Sequence, residues 1–441
     1  MKKEIIKGYK VDNFILDDLF VFTKNHYSFL LNKNGCSIIV NDSLLKDIKN
    51  KNLDEDLRIK LLSHALGKLS NKDFINKKED NNIYFIIDVT KKCNFDCIYC
   101  FRNLNDNRMI EDNKLEDICK YILKVSNERK LSNINLQVWG GEPIFGIKKL
   151  EYIYNFFKDT NVKVRIDIET NGSLITDKLA KRLHDMNVSI GVSIDGTPKH
   201  QNYQRKLIGD KPSMDLVRKG IKNLQKYYKE DIGGITVVTK HNYKDIGEII
   251  DFYTKELNIH NMKFNLVKDN PNADEKGIGL NKEEIIKFTN NLFDAVNLYN
   301  LLGVTLIEGN IQTRINNLLQ RDSYSYCTSN GCKGGKNLIS FDMNGNIYPC
   351  EMTDYSEVKL GSIYSDKSLE EQLKESTKTN PYFMDKETEE CKECPWDYYC
   401  KGGCRSRILY SKGKMKYDET ECIFNKIMYE RIIENILDNI K

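Results

Sequence analysis

Three thiols at CxxxCxxC spacing, Cys93, Cys97 and Cys100, mark the first place where this 441-residue chain could do chemistry. They lie in CNFDCIYC, two residues past the apolar run YFIIDVT. Three thiolates from one loop can hold three corners of a cubane 4Fe–4S cluster and leave its fourth iron open to a ligand. A structural zinc normally takes four protein ligands, and no fourth Cys or His lies nearby in the sequence. Spacing alone leaves two alternatives open: three unrelated thiols, or a zinc site completed from elsewhere. Eight further cysteines, from Cys327 to Cys422, form a second group, and only Cys36 and Cys119 fall outside both. Those two lie in hairpin and helix patterns and read as small packed residues. In a large chain without an export signal, clustered cysteines point to metal or catalysis more than to disulfides, and the odd total of 13 fits a complete disulfide framework poorly.

The elements that must position these thiols fall into three regions. Residues 1–80 read as a small α+β module. Its apolar runs are joined at Lys24-Asn25-His26 and Asn32-Lys33-Asn34-Gly35 as in a hairpin. Helical segments follow, with Leu57, Ile59, Leu61, Leu62, Ala65 and Leu66 expected on one face, and then a linker at 71–82. Residues 81–305 alternate strand-like segments (84–90, 134–140, 162–170, 188–195, 233–239 and 262–267) with helical ones, which predicts an α/β parallel sheet or barrel with active residues at the C-terminal strand ends. Residues 306–441 are cysteine-rich and irregular up to a final helix beginning at IFNKIMYERI. Lys plus Arg is 68 against 64 for Asp plus Glu, a net charge of +4 that is too weak to argue for nucleic acid or an anionic membrane. No apolar run approaches the roughly 20 residues needed to span a bilayer. Asp12, Asp17 and Asp18 interrupt any signal core, so a cytoplasmic chain is expected.

The first cluster, its strand and Tyr99 resemble the motif of the radical S-adenosylmethionine (SAM) enzymes. In that family SAM chelates the open iron. The next strand ends in Trp139-Gly140-Gly141-Glu142-Pro143, and GGEP is the family's site for the methionine amino group. Glycines permit close backbone approach, and a carboxylate with free carbonyls accepts from an ammonium. Standing alone, GGEP could also be an ordinary turn. Glu169-Thr170-Asn171-Gly172 and Ser193-Ile194-Asp195-Gly196 close the next two strands and resemble the family's polar stations for SAM, although Asn-Gly and Asp-Gly are also common turn dipeptides. By the same resemblance Arg205 is a candidate partner of the SAM carboxylate; a solvated surface arginine is the alternative. The implied fold is a partial (β/α)6 radical SAM barrel.

The second group is similar to the SPASM domain of peptide-modifying radical SAM enzymes: Cys332-x12-Gly345-x4-Cys350, then Cys391-x2-Cys394-x5-Cys400-x3-Cys404 and Cys422. With Cys327, the resemblance implies one auxiliary 4Fe–4S cluster on Cys327, Cys332, Cys350 and Cys404, and another on Cys391, Cys394, Cys400 and Cys422. Zinc knuckles are the alternative for CxxC pairs. Three clusters and SAM are therefore the expected cofactors, with a flavodoxin- or ferredoxin-like reductant. The family's chemistry is reductive cleavage of SAM to a 5′-deoxyadenosyl radical that abstracts hydrogen from the substrate. The N-terminal module looks like the winged-helix recognition element that binds a leader peptide as an added strand; an ordinary cap on the barrel is the alternative. The expected function is a maturase that forms a thioether or carbon–carbon crosslink in a ribosomally made precursor peptide, with no nucleic-acid or membrane partner. Two rivals remain. One is an anaerobic sulfatase-maturase-like oxidation of Cys or Ser to formylglycine, in which family an Asp base stands where this chain has Glu351. The other is a non-catalytic iron–sulfur or zinc scaffold.

Overall fold

The computed structural model describes residues 1–70, 82–102, 105–229, 232–320, 325–328, 331–353, 356–383, 388–412 and 415–440. All of the linker expected at 71–82 except Asn82 lies outside these residues.

The six core strands form where the apolar alternation places them: Tyr84–Thr90, Asn133–Gly140, Lys163–Thr170, Ser189–Ser193, Gly233–Val238 and Asn261–Leu266. They pair in parallel and in chain order, each with the next. Helices such as Asp112–Glu128, Ile147–Lys158 and Met214–Tyr228 supply the crossovers that parallel pairing requires. The sheet then continues past both ends of this set. Ile307–Glu308 adds beside Asn261–Leu266, and Leu338–Phe341, from the cysteine-rich region, pairs in parallel with Tyr84–Thr90. Asn346–Tyr348 and Gly361–Ser362 then continue it antiparallel, giving ten strands in an open, partial barrel. The strand leading into Cys350 is thereby one strand removed from the strand that leads into Cys93.

The period-2 rule separates the two faces of this sheet. Phe85, Ile87 and Val89, with Ile134, Leu136 and Val138, are buried in the main hydrophobic core. The alternate positions are largely polar: Asp88, Gln137, Trp139, Asp167, Glu169, Ser193 and Lys263. A fully packed parallel sheet would be apolar on both faces. A polar inner face is what a ligand cavity needs.

In the N-terminal module Lys2–Ile6, Leu19–Lys24, Tyr27–Asn32 and Ser37–Asn41 form a four-stranded antiparallel sheet with turns where expected. Phe14, Leu16, Leu19 and Leu30 belong to the module's own core, whereas Phe20, Phe22, Phe29 and Leu31 join the main one. The expected helical face needs correction. The helix runs only over Glu55–Ser63, with Leu57 and Leu61 buried and Ile59 56% exposed. Ala65 at φ +51° ends it, and Gly67–Leu69 turns back as a strand, so Leu66 is buried from a turn. The final helix, Glu419–Asp438, starts earlier than its apolar pattern indicates, because the Asp418 side chain caps it by accepting from the Glu421 N–H; Cys422 therefore lies in its first turn. Among the described residues, no helix is long and apolar enough to cross a membrane.

Candidate active site

The short strand Phe95–Cys97 pairs antiparallel with Arg205–Leu207, which sets Arg205 directly opposite Cys97. Arg205 is 8% exposed, so the surface alternative does not hold. Its guanidinium donates to the Tyr99 hydroxyl, which donates to Asp195 Oδ2 at 2.7 Å. Asp195 Oδ1 accepts from the Val237 N–H at 2.9 Å. Burial pushes the Asp195 carboxyl above its ordinary range and Arg205 pulls it back. Three residues expected separately thus form one buried relay beside the triad. Tyr99→Phe leaves Arg205 and Asp195 unbridged and is expected to cost about 1.5–3 kcal/mol of stability, read from denaturant unfolding; an unchanged midpoint would mean the bridge is energetically idle.

GGEP packs on the chain that enters the triad. The Gly141 N–H donates to the Thr90 carbonyl and the Glu142 N–H to the Lys92 carbonyl, both at 2.8 Å. A Cβ on Gly140 would lie 2.5 Å from the Thr90 oxygen, and one on Gly141 2.5 Å from the oxygens of both Lys91 and Lys92. The close approach that demands glycine is therefore to the protein's own backbone. Glu142, 1% exposed, accepts from Thr170 Oγ1 at 2.6 Å, the Asn171 N–H at 2.7 Å and the Ile144 N–H at 3.1 Å. Burial raises its carboxyl and these donors oppose the rise. Asn171 Nδ2 in turn donates to Asn94 Oδ1 at 2.9 Å, inside the cluster loop. So Glu142 and Asn171 latch the third strand tip to the triad loop. Ser193 lies half-buried on the inner face, and its hydroxyl makes no hydrogen bond among the described residues.

Glu169 and Glu351, far apart in sequence, lie within electrostatic reach of each other. Burial raises the Glu169 carboxyl, Lys263 lowers it and Glu351 raises it further. Lys268 stands by Glu351 and close to Cys327, Cys350 and Cys404.

Sequence reasoning missed a buried polar group at the barrel's inner face. Asp88 Oδ2 pairs with Lys91 at 2.7 Å and Arg102 at 3.4 Å. Asp88 and Trp139 are register neighbours on adjacent strands. Asp88 Oδ1, Arg102 Nε and Trp139 Nε1 are all buried without hydrogen-bond partners among the described residues. Nothing in the sequence sets Asp88 and Trp139 apart from the other polar residues on the inner face of the same strands.

The donor sets can be tested against iron–sulfur clusters. No described cysteine is in a disulfide. Cys391, Cys394, Cys400 and Cys422 line one cavity. Cys332 neighbours Cys404, Cys350 neighbours both, and Cys327 stands beside Cys332. Among the described residues, no three Cys, His, Asp or Glu are gathered tightly enough for a single metal ion. Burial pushes the thiol of Cys93 up to about 11, so it would need a bound metal to become a thiolate at neutral pH. Arg205 Nε, buried and unpartnered next to Cys97, fits an anionic group bound at the triad. The residues fit clusters and SAM.

A partial parallel barrel with a thiol triad after its first strand, continued by a cysteine-rich extension, is the architecture of the radical SAM class. Residues 87–253 match the Radical SAM superfamily, and residues 332–395 match SPASM, an iron–sulfur cluster-binding domain. The chain is a radical SAM enzyme with a SPASM extension. It is 29% identical over 379 residues to the cysteine-type anaerobic sulfatase-maturating enzyme of Clostridium perfringens (strain 13 / Type A), covering 79% of this chain and 96% of that one. The structure of native anSMEcpe with bound AdoMet and Cp18Cys peptide superposes with a TM-score of 0.69 at 25% identity, over 82% of this chain and all of that one. Streptococcus suis SuiB bound to precursor peptide SuiA shares the fold, with a TM-score of 0.56 at 15% identity over 95% of this chain and 99% of that one.

Proposed function

We propose that the chain is a peptide maturase that uses radical SAM chemistry to form an intramolecular thioether or carbon–carbon crosslink in a ribosomally made precursor. The observation that carries this reading is a four-stranded sheet packed against the core, whose outer strands Lys2–Ile6 and Ser37–Asn41 each pair on one side only. An unpaired edge is what a leader strand adds to. The SuiB fold covers 95% of this chain, while the Clostridium enzyme leaves about a fifth of it unmatched.

When bound, the first cluster and SAM supply the hydrogen-abstracting radical. Cys93, Cys97 and Cys100 would hold that cluster. Tyr99, Glu142, Asn171 and Asp195 would fix the loop around it, and Gly140 and Gly141 would let the loop close. Arg205 would face the SAM carboxylate, and Ser193 and Glu169 would line the cavity that receives it. Asp88, Arg102 and Trp139 offer one acceptor and two donors to a substrate held beside it. The two SPASM cysteine sets would hold auxiliary clusters, with Glu351 and Lys268 between the first of them and the cavity. A flavodoxin- or ferredoxin-like protein is the proposed reductant.

A second reading, oxidation of Cys or Ser to formylglycine, is favoured by the 29% identity to the Clostridium enzyme; Glu351 would then be the candidate base. The test is anaerobic incubation with the short peptides encoded beside the gene and with the Cp18Cys peptide. Loss of two hydrogens with a new bond supports crosslinking, and an aldehyde from Cys or Ser supports the second reading. Glu351→Gln is expected to lower the aldehyde-forming rate by about 10²-fold or more if Glu351 is a general base, and to change crosslinking far less.

A further inference from the structure

The second auxiliary cysteine set lies where three parts of the chain meet. Trp396, between Cys394 and Cys400, lines the cavity shared by Cys391, Cys394, Cys400 and Cys422. It is 2% exposed and stacks on Phe22 of the N-terminal sheet, with ring centroids 5.2 Å apart, and on Tyr429 of the final helix at 4.8 Å. In the same loop, the Tyr399 hydroxyl donates to the Gly35 carbonyl at 2.8 Å. Gly35, at φ +71°, approaches Tyr398 so closely that an added Cβ would lie 2.3 Å from its ring. Ion pairs and a hydrogen bond fix the module on the same side: Lys24 with Glu434 at 2.9 Å and Asp438 at 2.7 Å, and Ser37 Oγ to the Leu318 carbonyl at 2.7 Å.

We infer that the N-terminal module buttresses the second auxiliary cluster site from behind: no module residue lines the cavity, but the module packs on the loop that carries two of its thiols. Phe22 and the Gly35 turn hold the Cys394–Cys400 loop, so retention of that cluster and its electronic surroundings depend on residues of a module with no ligand in the set. Packing and solvent exclusion around a cluster are among the levers that set its stability and potential. The Ser37–Asn41 edge begins two residues after Gly35, so a strand added there bears on the same turn. The inference rests on the reading that these four cysteines hold an iron–sulfur cluster.

The test uses the full chain after anaerobic reconstitution, comparing wild type with Gly35→Ala and Phe22→Leu. Iron and sulfide per chain and the electron paramagnetic resonance spectrum of the reduced protein are the readouts. Gly35→Ala forces Tyr398 to move without touching a thiol, and Phe22→Leu keeps apolar volume but removes the stack. Both are expected to lose about one third of the iron of a three-cluster protein, or to keep it with a shifted signal from one cluster. Wild-type iron and an unchanged spectrum in both variants would overturn the inference. If Gly35→Ala loses all its iron the fold has failed, and Phe22→Leu decides. A wild type holding about eight irons would sink the cluster reading itself.

Discussion

Cys97→Ala is expected to abolish reductive SAM cleavage, by about 10³-fold or more, and to lower iron from about 12 to about 8 per chain. Cys97 ends the strand paired with Arg205–Leu207, so its thiol is held opposite the guanidinium by main-chain pairing and no neighbouring side chain can replace it. Cys119 makes the control, because it is fully buried in the helix Asp112–Glu128 among apolar side chains. Cys119→Ala should keep full iron content. Iron analysis and 5′-deoxyadenosine release under dithionite check both. Full iron in Cys97→Ala would remove Cys97 from the ligand set.

Gly141→Asp is expected to weaken SAM binding by at least roughly 10- to 100-fold, the equivalent of about 1–3 kcal/mol of overpacking. Its Cβ would lie 2.5 Å from two backbone oxygens, neither of which can rotate away. The turn must open, carrying with it the Glu142 N–H bond to Lys92 and the approach to Cys93. Equilibrium binding of SAM to the reconstituted protein is the measurement. An affinity equal to wild type would separate the GGEP turn from SAM binding and take away a main support of the enzyme reading.

The parts of the site legible in the sequence were those encoded by spacing. CxxxCxxC after a strand, GGEP one βα unit later and the CxxC-containing run from Cys391 are local patterns, and the six core strands follow from the alternation of apolar residues. Roles were less legible than positions. Glu142 looks from the sequence like a free acceptor for an ammonium, yet it accepts three hydrogen bonds from the protein. Arg205 reads equally as solvated or buried, because the strand that buries it is only three residues long and is formed by pairing with the cluster loop. Asp88, Arg102 and Trp139 carry no motif. Their significance lies in buried atoms that lack partners, which no spacing announces.

By itself, then, the amino-acid order determined the strand sequence of the barrel and the placing of the first thiol triad and GGEP at successive strand ends. Each of these depends on periodicity or on separations of a few residues, where backbone geometry leaves little choice. Only the tertiary structure decided that Leu338–Phe341 extends the core sheet beside Tyr84–Thr90, that Glu351 comes within electrostatic reach of Glu169, and that Phe22 stacks on Trp396. Each of those contacts joins segments more than a hundred residues apart. They are selected by burial of apolar surface and by satisfaction of buried polar groups over the whole fold, which no local pattern in the chain records.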